Sequence, residues 1–170
     1  MINIWKPKTD GHFINDFREK LSKKGFLEED IDVIVENAKD ALSKTIDPKN
    51  PDKNNETFKT NLVLGYIQSG KTTSMEAVSC LARDNGFKLM IILSGHVSNL
   101  ADQTEERVYE SLDQFGWNRI QIKPGKKAEL EKDLGLFKDL IGSDETLFVE
   151  EEEKPAGLIV LMKQHQRIGK

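Results

Sequence analysis

The sequence predicts an α/β fold: a mainly parallel sheet flanked by helices and preceded by an N-terminal helical hairpin. Three observations predict it. Apolar residues recur twice at helical spacing before residue 45, and apolar runs of strand length alternate with helical stripes from Thr60 onward. A polar segment rich in proline and asparagine separates the two regimes. Strands joined by helix-length connections re-enter a sheet in the same direction, so the alternation reads as parallel pairing.

In the first region Phe13, Phe17 and Leu21 form one stripe that stops at Gly25, and Leu27, Ile31, Ile34, Ala38 and Leu42 form the next. A glycine between two amphipathic patterns closes a helix readily, because it adopts the left-handed conformation without steric penalty. Trp5 and Trp117 are expected to pack on this hairpin or to cap a helix end. Residues 45–56, with Pro48, Pro51, Asn50, Asn54 and Asn55, read as a linker or exposed loop. The chain therefore divides into a helical extension with its linker, 1–59, and an α/β part, 60–170.

From Thr60 the elements follow in order. Asn61–Leu64 is a short strand, followed by a glycine-bounded turn and a helix with Met75, Val78, Leu81 and Ala82 on one side, ended by Gly86. Phe87–Leu93 is a second strand, apolar enough to be buried on both faces. A helix from about Ser98 aligns Leu100, Thr104, Val108, Leu112 and Phe115 and closes at Gly116. Arg119–Ile122 is a short strand, and Leu130, Leu134, Phe137 and Ile141 mark another helix. Thr146–Val149 and Gly157–Met162 complete the strands, and Glu150–Glu153 reads as an acidic loop.

Composition excludes several classes. The 170 residues carry 25 basic and 29 acidic side chains, a net charge of −4, so bulk electrostatics do not draw the chain to nucleic acid. At 37% apolar it can bury a core. Its single cysteine, Cys80, rules out a disulfide framework and reads as a small buried hydrophobe in a reducing compartment. No apolar run approaches the roughly 18 residues a membrane span requires, and the start lacks the apolar block of a secretory signal. The expected location is the cytoplasm. His12, His96 and His165 show no ligand spacing.

One motif carries chemistry. Gly65-Tyr66-Ile67-Gln68-Ser69-Gly70-Lys71-Thr72 has two glycines bracketing four residues, then lysine and a hydroxyl residue, between a strand and a helix. Glycines let successive N–H groups turn inward, and these amides join the N-terminus of the next helix in a positively polarised cradle for a polyphosphate. Gly65, Gln68, Ser69, Gly70, Lys71, Thr72 and Thr73 are the candidate phosphate contacts. Lys71 is placed to offset the phosphate and transition-state charge, and the Thr72 hydroxyl to ligate Mg²⁺. Tyr66, inside the loop, is expected to pack over it. The cofactors implied are ATP and Mg²⁺.

A second cluster, Ser94, Gly95, His96, Ser98, Asn99 and Gln103, lies at the end of the next strand and opens a helix. Hydroxyls, an amide and free helix N–H groups suit a nucleic-acid backbone phosphate, while Ser98 or Asn99 equally suits a helix cap. Lys123, Lys126 and Lys127 beside Pro124-Gly125 form a small basic cluster.

Strand, Gly-Lys-Thr loop, helix, strand and Leu100-Ala101-Asp102-Gln103 together resemble the first motor domain of superfamily-two helicases. Leu100, Ala101 and Gln103 match the DEAD-box motif Pro-Thr-Arg-Glu-Leu-Ala-x-Gln, and Ser98 stands where that motif has arginine. Closer still is a resemblance to the Z-one domain of bacterial helicase-like proteins near restriction and defence systems. It is carried by Ile67–Thr72, by Phe87–Thr104 and by Pro155-Ala-Gly-Leu-Ile-Val-Leu-Met-Lys-Gln, and it covers about residues 60–168. The resemblance implies a partial RecA-like domain of an ATP-dependent, nucleic-acid-acting enzyme, with DNA the expected partner and no membrane.

The resemblance also implies an acidic Walker B residue on a strand following the one that ends at Met162. Lys170 closes the chain before such a strand, so the expectation is an N-terminal fragment of a longer motor. Such a fragment would bind nucleotide and hydrolyse it slowly, partnered by the rest of its own polypeptide, with an unpaired sheet edge open to dimerisation. Glu150 or Glu151 is the internal candidate for the hydrolytic acid, set against the reading of the same glutamate run as a solvated face. Two other classes fit the loop: a small P-loop kinase, opposed by the scarcity of arginine for a lid, and a non-catalytic nucleotide-binding interaction module.

Overall fold

A computed structural model describes residues 5–49, 71–94, 106, 108–120, 131, 135 and 156–162. They belong to two compact units, 1–87 and 88–170. The chain is mixed helix and strand, and the strands pair in parallel, as the alternation predicts.

The first unit holds α1 (His12–Lys23), α2 (Glu28–Ser43) and α3 (Lys71–Asp84). In α1 the expected stripe of Phe13, Phe17 and Leu21 is buried, joined by Ile14. Gly25 takes φ +86° past its end, where the Gly25 amide donates to Ser22 O at 2.9 Å and the Phe26 amide to Leu21 O at 3.1 Å. These two reversed hydrogen bonds satisfy carbonyls that the last turn would otherwise leave bare. Gly86 ends α3 the same way at φ +90°, with Gly86 N donating to Arg83 O and Phe87 N to Ala82 O.

The stripe of α2 needs correcting. Ile31, Val35, Ala38 and Leu42 are buried, whereas Leu27 is 68% exposed and Ile34 only half-buried. The helix starts at Glu28, so Leu27 stands before it, and Val35 falls in phase with Ile31 and Leu42. Glu28, Glu29 and Asp30 fill its first turn, where negative charge complements the helix dipole.

The hairpin arms do not bury their apolar faces mainly on each other. Both pack more extensively on α3, so the helix that follows the glycine loop completes a three-helix cluster. Ala77, Cys80, Leu81 and Ala82 of α3 are buried there, while Met75 and Val78 are half-buried. Two short amphipathic helices have too little apolar surface to hold each other, and a third element supplies the missing partner. Trp5 behaves as anticipated: its indole N–H donates to Thr45 O at 3.0 Å, just past the end of α2.

The second unit contains β1 (Leu89–Ser94), β2 (Asn118–Ile120) and β3 (Gly157–Met162), in the order β1-β3-β2, all parallel. Leu89 is in register with Gly157 and Ser94 with Met162, while Asn118 also faces Gly157. Residues 108–112 are helical and run through a 3₁₀ turn at Asp113–Phe115 to Gly116, whose φ of +70° ends the helix where the pattern predicts. Val108, Leu112 and Phe115 are buried as expected, together with Tyr109, Trp117, Leu158 and Ile159. The Tyr109 hydroxyl donates to Leu158 O.

A further expectation fails. The strand after Gly86 is not buried on both faces: Leu89, Ile91 and Leu93 are 36%, 53% and 67% exposed. Alternate residues share a face, so one side of β1 is uncovered while Met90 and Ile92 on the other are half-buried. Among the described strands β1 lies at an edge, and an unbroken apolar run cannot by itself distinguish one covered face from two. The expected strands at 61–64 and 146–149 lie outside the described residues, as does the 130–141 helix apart from Glu131 and Gly135, which are helical.

Candidate polyphosphate site at the start of α3

The candidate contacts Gly65, Gln68, Ser69 and Gly70 lie outside the described residues, as do Gly95, His96, Ser98, Asn99, Gln103 and Glu150. Those inside fall at two places. Lys71, Thr72 and Thr73 are the first three residues of α3, with Thr72 exposed and Thr73 half-buried. Ser94 is the last residue of β1, at the carboxyl edge that the parallel strands share with Ile120 and Met162.

The glycine motif thus leads in sequence into α3, whose described residues start at the motif's own lysine. The first helical N–H groups have no intrahelical acceptor and carry partial positive charge. No acidic residue stands in the first turn of α3, in contrast to the three in α2. That is the chemistry the residues offer a phosphate: a helix N-terminus with its dipole, an exposed hydroxyl at Thr72 and a lysine in sequence.

Sequence reasoning missed the other end of the helix. Asp84, 6% exposed, accepts hydrogen bonds from the amides of Phe13 at 3.0 Å and Ile14 at 2.9 Å. Asn85 grips the backbone of Lys8, its Oδ1 accepting from Lys8 N at 2.8 Å and its Nδ2 donating to Lys8 O at 3.0 Å. The Arg83 guanidinium stands 5.1 Å from the centre of the Phe13 ring. Nearer the start of α3, Glu76 pairs with Lys20 of α1 at 3.1 Å, both side chains largely buried. No local pattern announces these contacts. The one available hint is Gly11, a residue without a capping side chain directly before α1.

Burial pushes the Asp84 carboxyl above its ordinary range, against the opposing pull of the Ile14 and Phe13 amides, Lys8 and His12. Cys80, fully buried one turn from each of Glu76 and Asp84, has its thiol raised well above normal by burial and then by those two charges. It is the inert small hydrophobe the sequence suggests. Among the described residues no group of three His, Cys, Asp or Glu side chains could hold a metal, and no helix is long and apolar enough to cross a membrane. No protein-family model, curated protein or solved structure matches the chain.

Proposed function

We propose that the chain binds ATP with Mg²⁺ at the start of α3, as the nucleotide-binding part of a helicase-like, nucleic-acid-acting ATPase of the Z-one type in restriction or defence. One observation carries the reading. The motif Gly65–Thr72 leads directly into a helix that begins at Lys71 and whose first turn is free of acid. In this reading the loop amides and the α3 N-terminus hold the phosphates, Lys71 offsets their charge, and the Thr72 hydroxyl helps hold Mg²⁺. The cation supplies further charge neutralisation when bound. Ser94, with Gly95, His96, Ser98, Asn99 and Gln103 following it, is the proposed contact for a nucleic-acid backbone, DNA in the first instance.

Calorimetric titration with Mg·ATP tests the site. Binding should be lost in Lys71→Ala and weakened in Thr72→Ala only when Mg²⁺ is present. A wild-type chain that fails to bind, or a Lys71→Ala chain that binds equally well, would refute the assignment. Titration of labelled single- and double-stranded DNA, with and without a non-hydrolysable ATP analogue, tests the nucleic-acid part. A nucleotide-dependent affinity that falls with salt is expected, and absence of DNA binding in both states would leave a nucleotide-binding module.

A further inference from the structure

The turn that ends α3 joins two residues that the fold needs for separate reasons. Gly86 takes φ +90° and its amide donates to Arg83 O at 3.1 Å, a closure that favours glycine. Asn85 is buried and held by three side-chain hydrogen bonds. Its Oδ1 accepts from Lys8 N at 2.8 Å, and its Nδ2 donates to Lys8 O at 3.0 Å and to Leu81 O at 2.7 Å. A carboxamide carries both donors and an acceptor, so it matches a backbone N–H and C=O together, which a carboxylate cannot. The two requirements place an asparagine directly before a glycine, the only such pair in the sequence. That pair is chemically reactive, because glycine has no Cβ to keep its amide nitrogen from the carbonyl carbon of the preceding side chain.

We propose that Asn85-Gly86 is a modification site, a self-deamidating pair held in check by the Lys8 backbone, whose conversion to aspartate or isoaspartate releases the segment around Lys8. The reaction needs only water. The Gly86 nitrogen gives its proton to hydroxide and bonds to Asn85 Cγ; the Cγ–Nδ2 bond breaks, and Nδ2 leaves as ammonia after taking a proton from water. Water then opens the cyclic imide at either carbonyl, so that one carboxamide and one water become one carboxylate and one ammonium ion. In the folded chain the attacking nitrogen is engaged with Arg83 O. Turning Cγ toward it breaks the side-chain hydrogen bonds, two of which are made to Lys8. The folded state therefore resists the reaction, which proceeds from locally opened molecules. Its product cannot restore the native arrangement. An aspartate at this position has no donor for Lys8 O or Leu81 O, and it sets a second carboxylate beside the buried Asp84. An isoaspartate also adds a methylene to the backbone at the turn that Gly86 closes.

The test uses the full chain. Conversion at residue 85 is read by peptide mass spectrometry with isoaspartate-specific methyl labelling. It is followed in the native protein, in the protein unfolded in guanidinium chloride, and in Lys8→Pro, which deletes the N–H that Asn85 Oδ1 accepts. In the unfolded protein Asn85 should convert faster than any other asparagine. In the native protein it should convert about a hundredfold or more slowly than in the unfolded one, and native Lys8→Pro should convert about tenfold faster than native wild type. Release is read by NMR on Asn85→Asp, in which amide exchange at Lys8 should be about tenfold faster than in wild type. An Asn85 that stays intact in the unfolded protein overturns the proposal, as do equal rates in the native and unfolded states. Equal rates in native Lys8→Pro and wild type overturn the guarding role of Lys8, and unchanged Lys8 exchange in Asn85→Asp overturns the release. Should Lys8→Pro not fold, the native-against-unfolded comparison and the Asn85→Asp exchange decide.

Discussion

Replacing Gly11 by alanine adds one methyl group and removes no hydrogen-bonding atom, yet it should cost the first unit about 2 kcal/mol. The new Cβ would meet Asp84 Cγ at 2.2 Å and both carboxylate oxygens at 2.5 Å, where ordinary contact begins at 3.4 Å. The carboxylate, 6% exposed, must retreat by more than an ångström within a close-packed interior. That displacement carries it out of hydrogen-bond range of the Phe13 and Ile14 amides, now 3.0 and 2.9 Å away. Each such bond to a charged acceptor is worth about 1.5–3 kcal/mol, and partial rearrangement recovers part of the loss. The backbone itself raises no objection, since φ −76° and ψ 170° suit alanine. On that count alone the substitution would stabilise by about 0.4–1 kcal/mol through the unfolded chain. Urea unfolding followed by circular dichroism reads the balance. In an Asp84→Ala background the clash disappears, so Gly11→Ala should there be neutral or slightly stabilising. A stabilised Gly11→Ala single variant would show that the carboxylate does not occupy the space before α1.

The pH dependence of Asp84 has a definite sign. Because its carboxyl is raised by burial, the folded chain holds a proton that the unfolded chain has already released across a window just above the ordinary carboxylate range. The corresponding stability is fully present below the unfolded value and is lost as pH rises through the folded one. The stability difference between wild type and Asp84→Asn should therefore fall as pH rises above the ordinary carboxylate range, and a rising difference in urea titrations would contradict the burial of Asp84. The Cys80 thiol, wholly buried and pushed upward in pKa, should react with a thiol reagent about a thousandfold or more slowly in the native chain than in urea. Rapid native labelling would mean that α3 is not enclosed.

Periodicity made the helices legible because their cores are local repeats. Phe13, Phe17 and Leu21 appear in the sequence at the spacing at which they are buried, and Gly25 and Gly86 end α1 and α3 with the positive φ that only glycine adopts freely. The parallel direction of the strands was legible for the same reason, since apolar runs bounded by turns and separated by helical stripes imply crossover connections, whereas the pairing of 89–94 with 157–162 was not. What stayed hidden is long-range and polar. Asp84 caps a helix that starts some seventy positions earlier, and nothing near residue 84 or residue 12 encodes that meeting. The exposed side of β1 was hidden for a different reason: Leu89, Ile91 and Leu93 are as apolar as Met90 and Ile92, so composition could not reveal which face is covered. Of the candidate site, the lysine and threonine at the helix start were readable from the motif, whereas the freedom of that turn from acid depends on where α3 begins.

Charge along α3 is sorted in a way that bears on the phosphate site proposed at its start. The front turn has no acid, and the first carboxylate, Glu76, stands five positions after Lys71, roughly 7.5 Å along the axis. Its side chain is 10% exposed and lies 3.1 Å from Lys20, itself 18% exposed. The pair is neutral as a whole, so it does not oppose an anion at the front of the helix. Substituting Lys20→Met strands the Glu76 charge. At about 10 Å and an effective dielectric near 20, that charge repels each unit of phosphate charge by on the order of 1–2 kcal/mol, less at high salt. The Mg·ATP affinity of Lys20→Met should accordingly drop by about tenfold at low ionic strength. Lys44→Met, which breaks an exposed pair with Asp40 on α2, should leave it unchanged. Adding Glu76→Gln to Lys20→Met removes the stranded charge and should restore the affinity even though the ion pair is gone. Restoration separates electrostatics from loss of the α1–α3 contact, because the double variant lacks the contact just as the single one does; a double variant that binds no better than Lys20→Met would place the whole effect in the lost contact and refute the electrostatic account.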